Sequence, residues 1–219
     1  TNRPGARHGP RQMRDLSTMV RNVHHVTGTQ PFKLASCADM GDTPVNPVDL
    51  LDTLERVGKF YTDLAAAGVM PLTAGGDHLI TLPIMRGIFD GRPLGMVHFD
   101  AHTDTWDRYF GGHQYTHGTP FRRAIEEGLL DPKRTVQIGI RGSLYTPEDK
   151  DWGLAQGIRV IEIEEVLEAS MASGLSTGQS FEKISRLTAS FSLHPHQWQL
   201  QLSRPLAVLV RSAEWKRSV

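Results

Sequence analysis

The sequence predicts an α/β fold in which a parallel sheet is covered by helices on both faces. Short apolar runs of strand length alternate with segments of helical periodicity. Several of those segments begin with a capping residue followed by proline. The chain has 219 residues, enough for one large domain with a real core.

Residues 1–35 are polar and irregular, with GARHGPRQMR as their main feature. Gly5, Gly9 and Pro10 look like a turn feeding a short helix. Asn46-Pro47 reads as an N-cap with proline at the first helical position. Behind it Val48, Leu51, Leu54, Val57, Tyr61 and Leu64 recur at helical spacing, which predicts one buried face. Gly68 ends that helix. Val69 to Thr73 reads as a buried strand, stopped by Ala74-Gly75-Gly76, with a helix from about Leu79 to Phe89. Leu94 to Phe99 is the next strand. Thr119-Pro120 opens a helix to about Glu127, stopped by Gly128, and Thr135 to Ile140 is again a strand. Thr146-Pro147-Glu148 starts a further helix ended by Gly157, and Arg159 to Ile163 follows as a strand. After about Ser170 the rhythm is lost: MASGLSTGQS is small and polar, and only Leu206 to Val210 still reads as a strand. No internal repeat or low-complexity tract interrupts the chain.

Composition narrows the function classes. Hydrophobic residues at 39% and charged residues at 22% describe an ordinary soluble globular protein. Lys plus Arg equals Asp plus Glu at 24 each, so charge gives no reason to expect a nucleic-acid or membrane partner. No run is apolar enough to span a membrane, and no signal-peptide core stands at the start. Cys37 is the single cysteine, which excludes an internal disulfide and a cysteine-based metal site, fits a reducing cytoplasm, and reads as a small core residue. The chain opens at Thr1 without an initiator methionine, as a fragment or trimmed chain would.

The chemistry concentrates in His78, Asp100, His102 and Asp104. His98, Asp100, His102 and Asp104 are spaced by two, so in a chain that stayed extended past the strand their side chains would share one side. Carboxylates and imidazoles at the carboxyl end of a parallel strand form a natural clamp for a divalent ion, and oxygen and nitrogen donors without thiolate favour manganese over structural zinc. His78 follows Gly75-Gly76-Asp77 at the end of the preceding strand, and parallel neighbouring strands would deliver both loops to one rim. Taken alone, the D-x-H-x-D run also fits a solvated loop with an N-cap aspartate, and the glycines also fit simple turns. His117, in His117-Gly118-Thr119, is either a proton donor to a leaving amine or a surface histidine ahead of a helix. Trp106, Tyr109 and Phe110 either wall a pocket or belong to the core.

AGGDHLITLP, HFDAHTD, HGTPFRRAIEEGLLD and VQIGIRG, in this order, resemble the ureohydrolase (arginase and agmatinase) family, most closely agmatinases and related guanidino-acid hydrolases. The resemblance runs from about Gly5 to about Glu168, and HGTPFRR sets it apart from arginases proper. It implies a three-layer α/β fold of the arginase type, here incomplete on the C-terminal side, and two Mn2+ ions per subunit. His78, Asp100 and Asp104 would hold one ion, Asp100 would bridge, and His102 would hold the second. A water activated between the ions would attack the guanidinium carbon, with His117 supplying the leaving proton. The products would be urea and an amine; for agmatine, the expected substrate, the amine is putrescine. The resemblance also implies a cytoplasmic homo-oligomer, trimer or hexamer, whose partner is a small guanidino substrate. A related metal-dependent amide deacetylase is a weaker reading, opposed by the GGDH and HGTPFRR wording.

One part of the family pattern is missing. A second aspartate motif, S-F-D-x-D-x-x-D-P, should follow and supply two more ligands, with an acidic residue for the guanidinium group further on. No aspartate occurs after Asp151, and the place reads Ala189-Ser190-Phe191-Ser192-Leu193-His194-Pro195-His196. The expected organisation is therefore a partial ureohydrolase domain over 1–190 and a divergent tail over 191–219. The competing reading of function is a truncated or frameshifted, non-catalytic copy. If the tail is a shifted reading frame, translating the underlying nucleotides in the other two frames yields an aspartate-rich motif at this place; its absence from both frames refutes the shift.

Overall fold

The structure, a computed structural model, describes the backbone of residues 4–172, 198–202 and 206–208 and the side chains of residues 5–168. The boundary expected after residue 190, the stretch from Ala189 to His196 and most of the tail lie outside the described residues.

Seven helices and six strands are described: α1 (Gly9–Ser17), α2 (Pro31–Leu34), α3 (Leu50–Ala66), β1 (Leu72–Ala74), α4 (Thr81–Ile88), β2 (Leu94–Phe99), α5 (Pro120–Glu126), β3 (Leu130–Ile140), α6 (Asp151–Gln156), β4 (Arg159–Glu162), α7 (Ile163–Ala172), β5 (Trp198–Leu202) and β6 (Leu206–Val208). One sheet holds all six strands in the order β1-β6-β5-β2-β3-β4. β5, β2, β3 and β4 run parallel, while β6 is antiparallel to both β1 and β5. The expected parallel α/β sheet is thus present, with one reversed strand. β1 and β2 point the same way but are not neighbours, because β6 and β5 lie between them. Among the described residues no helix is long and apolar enough to cross a membrane.

The pleat of β2 sorts its side chains to two faces. Met96 joins Leu54, Leu79, Leu82, Met85, Phe121 and Leu130 beneath α3, α4 and α5. Val97 and Phe99 pack instead with Val136, Ile138, Ile161 and Val166, on the side of α7. Helices therefore cover both faces, and both cores meet on β2 and β3.

Several local expectations need correction. α3 starts three residues later than Asn46-Pro47 implied. Asp49 is its N-cap and accepts from the Asp52 N–H. Asn46 instead closes the preceding turn, accepting from the Val48 N–H at 3.2 Å and donating from its amide to Asp52 at 2.7 Å. Val48 consequently lies outside the helix at 93% exposure, and Leu51 is exposed as well. The buried stripe is Leu54, Val57, Tyr61 and Leu64. At the other end the helix stops as expected. Gly68, with φ +70°, donates to the Ala65 carbonyl, and Val69 donates to that of Leu64. This is the paired Schellman arrangement that satisfies the last carbonyls.

The strand expected over Val69 to Thr73 is shorter and later. Among the described residues β1 pairs only with β6, so Thr73 is buried while Leu72 remains exposed. Thr73 Oγ1 shares a 2.6 Å hydrogen bond with Tyr61 Oη, tying β1 to α3. Cys37 is exposed rather than part of the core, because the segment between α2 and α3 runs over the surface for nearly its whole length. Thr119 precedes α5 but does not cap it: its hydroxyl bonds the backbone of Thr116 instead.

α3 and α4 approach closely because Gly87 has no side chain. A Cβ there would come 2.5 Å from the Gly58 carbonyl oxygen and 2.7 Å from Tyr61 Cβ. A methyl group cannot fit without separating the helices. Gly87→Ala is expected to destabilise the chain by about 1–3 kcal/mol, the usual range for overpacking, measured as a lowered urea midpoint; an unchanged midpoint would show that the helices separate freely.

Candidate metal centre

The centre is assembled by the segments that follow β1 and β2. Asp77 ends the first segment and caps the 3-10 turn His78–Ile80 by accepting from the Leu79 N–H at 2.9 Å. That turn fixes the direction of His78, whose ring packs edge-on to Phe121 with centroids 5.4 Å apart. β2 ends at Phe99, and Asp100 continues its alternation, on the same side as the fully buried His98.

The chain then leaves the extended path. Asp100 Oδ1 accepts from the His102 N–H at 3.0 Å, and the Ala101 carbonyl accepts from the N–H groups of Arg141 and Gly142. A carboxylate bonded to the backbone two residues on makes an Asx turn. His102 is therefore carried to the rim: its side chain is 62% exposed, with Nδ1 3.6 Å from Asp100 Oδ1. Asp104 has φ +49°, a left-handed conformation that is uncommon outside glycine but tolerated by aspartate. Its carboxylate turns back to bond His78 Nδ1. Its carbonyl accepts from the Phe121 N–H at 3.3 Å, which seats the start of α5 against the loop.

His78, His98, Asp100 and Asp104 thus converge, each offering an atom within 4.8 Å of the others'. Of the residues expected from sequence, the structure brings His78, Asp100 and Asp104 together and leaves His102 beside them. His117 is half-buried next to the cluster, within electrostatic reach of Asp77 and Asp104. Its ring stands 5.4 Å from Tyr109 and 5.5 Å from Phe110, and Trp106 packs edge-on to Tyr109 at 4.4 Å. The aromatic run therefore walls the side of His117. Two contributors carried no role in the sequence reading, His98 and Gln137. Their signals were the even spacing of His98 from Asp100 and a lone amide in the apolar strand V-Q-I-G-I.

Electrostatics follow from burial and charge together. Burial disfavours the Asp100 carboxylate, but the hydrogen bonds from His98 and from the His102 N–H, with the nearby His78, outweigh it and hold the carboxyl below its ordinary range. Burial also opposes charge on His78, yet the adjacent Asp104 and Asp100 overcome it and raise its pKa. Burial lowers the pKa of His98, with no neighbour strong enough to reverse it. Burial likewise pushes the His117 pKa down.

The donor set fits a divalent cation. Two carboxylates and an imidazole nitrogen face one point, and no thiolate is near. His78 Nδ1 is the atom turned toward both carboxylates, Asp100 Oδ2 lying 3.7 Å away. His78 Nε2 and His117 Nδ1 are buried without a hydrogen-bond partner. In this geometry a proton on His78 Nδ1 would face both Asp100 and Asp104, a place that a cation would take.

The comparisons with known proteins agree with the fold and the motifs. The family described as the arginase family matches residues 1–188. A guanidinopropionase from Pseudomonas aeruginosa is 61% identical over 176 residues, covering 80% of this chain and 55% of that protein. A mitochondrial agmatinase from Gallus gallus is 50% identical over 166 residues, covering 75% of this chain and 48% of that protein. The solved structure of proclavaminate amidino hydrolase from Streptomyces clavuligerus superposes with a TM-score of 0.67 at 36% identity, covering 76% of this chain and 56% of that one. The chain spans about half the length of the curated relatives it matches.

Asp104→Asn keeps the shape of the side chain but removes half the charge facing His78. Manganese affinity, measured by competition with a chelating dye, is expected to fall by at least roughly 10-fold, the low end even for outer-shell changes. Unchanged affinity would place the cation elsewhere.

Proposed function

Because the chain belongs to the arginase family, we propose that it hydrolyses a linear guanidino compound to urea and an amine with the help of divalent cations. The observation that carries this reading is the convergence of Asp100, Asp104 and His78 Nδ1 beside the unpartnered nitrogen of His117. Asp100, Asp104 and His78 would hold one ion, of which manganese is our preferred identity, and His102 sits where it could contribute to a second. Bound there, a divalent cation supplies Lewis-acid activation of water for attack on the guanidinium carbon.

The protein's own residues have separate tasks. Asp100, held ionised by its hydrogen bonds, keeps negative charge at the centre across the neutral range. Trp106, Tyr109 and Phe110 shield the flank of His117 from water. His117, its pKa lowered by burial, is neutral near pH 7 and so is able to take up a proton and pass it to the departing amine nitrogen. Among substrates, a guanidino acid is better supported than agmatine, since the similarity to the guanidinopropionase, at 61%, exceeds that to the agmatinase, at 50%. Cytoplasmic location, assembly as a trimer or hexamer, and a division of the chain near residue 190 belong to the same proposal.

A specific observation supports a second reading for the chain as it stands. With no aspartate after Asp151, the sequence lacks the second aspartate motif that the resemblance leads one to expect. Such a chain would hold fewer ions and release no urea.

Urea should be assayed with manganese and 3-guanidinopropionate, 4-guanidinobutyrate or agmatine, alongside bound-metal stoichiometry. The expected outcome is urea release, faster from a guanidino acid, with two ions per chain. One ion and no urea from any substrate would favour the second reading. Given activity, His117→Ala is expected to lower kcat by about 10²-fold or more while bound metal stays unchanged, as loss of a proton-transfer group does; full activity in that variant removes His117 from the chemistry.

A further inference from the structure

We infer that Gln137 is a positioning residue of the metal centre: it fixes His98 as the tautomer protonated on Nε2, and His98 then orients Asp100 by donating to it rather than binding the cation itself. The inference begins with strand register. In the parallel pairing of β2 with β3, His98 lies opposite Gln137, and both side chains are almost completely buried, at 0% and 1% exposure. The Gln137 amide nitrogen is 2.6 Å from the Thr103 carbonyl oxygen and 3.2 Å from His98 Nδ1.

The Thr103 carbonyl only accepts hydrogen bonds, so the group facing it is the NH2 of the amide. Turning the amide over would set two oxygens 2.6 Å apart. The same NH2 has a second hydrogen, and it faces His98 Nδ1. An N–H on that ring atom would oppose the donor, so Nδ1 carries the lone pair and Nε2 carries the proton. Nε2 lies 3.2 Å from Asp100 Oδ2, within donating distance. Gln137 Oε1 is left buried without a partner, so the amide is oriented by its nitrogen alone.

Each neighbour supports the chain of bonds. Phe121 packs edge-on to His98, with centroids 4.6 Å apart, and holds the ring plane. Asp100 receives His98 on Oδ2 and the His102 N–H on Oδ1, so both its oxygens are fixed from the protein side. Gln137 also ties the Thr103 carbonyl to β3, one residue before Asp104. A single amide thus steers two carboxylates, one through His98 and one through the loop backbone. His98 is close enough to count among the possible ligand atoms, but a ring whose Nε2 keeps its proton cannot ligate through that atom.

The consequence for metal affinity rests on the proposed metal centre, whereas the tautomer is readable in the metal-free chain. With 15N-labelled histidine, long-range proton–nitrogen correlation spectra of the metal-free chain are expected to show His98 Nε2 protonated and Nδ1 bare. Adding Zn2+, a diamagnetic probe, should leave that pattern intact. Gln137→Met, close in size but without a donor, should lose the single tautomer and weaken manganese binding roughly 10- to 100-fold, as removal of outer-shell partners does, with circular dichroism unchanged. His98 found with Nδ1 protonated, loss of its Nε2 proton on adding Zn2+, or a folded Gln137→Met variant with unaltered manganese affinity would overturn the inference. If Gln137→Met does not fold, the two spectra of the unsubstituted chain still decide it. A wild-type chain that binds no metal yet shows the Nε2-protonated ring would refute the metal-centre reading and leave the tautomer assignment standing.

Discussion

The structure depends on the hydrogen bond that joins two polar side chains, His98 and Gln137, inside an apolar sheet. A buried donor or acceptor that loses its partner costs about 1–3 kcal/mol, so it matters that the Gln137 NH2 serves both His98 Nδ1 and the Thr103 carbonyl, and that His98 Nε2 meets Asp100. The β2–β3 register is what sets His98 opposite Gln137. A shift by one residue would set Gln137 against an apolar neighbour and leave His98 Nδ1 without its donor. The same register that builds the core therefore aims the first carboxylate of the centre.

From Asp100 onward, local backbone chemistry takes over. Its Asx turn ends the extended path, and the left-handed conformation of Asp104 returns the chain toward the centre. Concentrating two carboxylates in a partly buried site is unfavourable by itself, because each disfavours ionisation of the other. His78 answers this from a different element: the cap at Asp77 points it inward, and it takes the imidazolium form more readily than an ordinary histidine. One imidazolium offsets part of the charge of the two carboxylates, with the cation as an alternative to the histidine proton.

The helices matter to the site mainly as supports. Phe121, fully buried near the start of α5, touches both His78 and His98. Arg86 of α4 forms a two-pronged ion pair with Glu127 at the end of α5, at 2.7 and 2.6 Å, which couples the helix following His78 to the helix following His117. The close approach at Gly87 then fixes α4 against α3. Movement of any of these helices would be felt at the rings that orient the carboxylates.

Much of this was legible in the sequence. Strand and helix order from Leu50 to Glu162 followed from apolar periodicity, proline and glycine, and β2 was located to the residue, Leu94 to Phe99. The HFDAHTD run determined the lineage and the donor types, and the lone cysteine excluded an internal disulfide and a cysteine-based metal site. The sequence could not decide which members of that run converge. Spacing by two orders side chains only while the backbone stays extended, and the turn at Asp100 sends His102 outward while the conformation of Asp104 sends it back. Nor could it identify Gln137 as the partner of His98, because residues 39 apart meet only through strand register. Local chemistry named the candidate ligands; the pairing of distant strands, a tertiary property, decided which of them face one another.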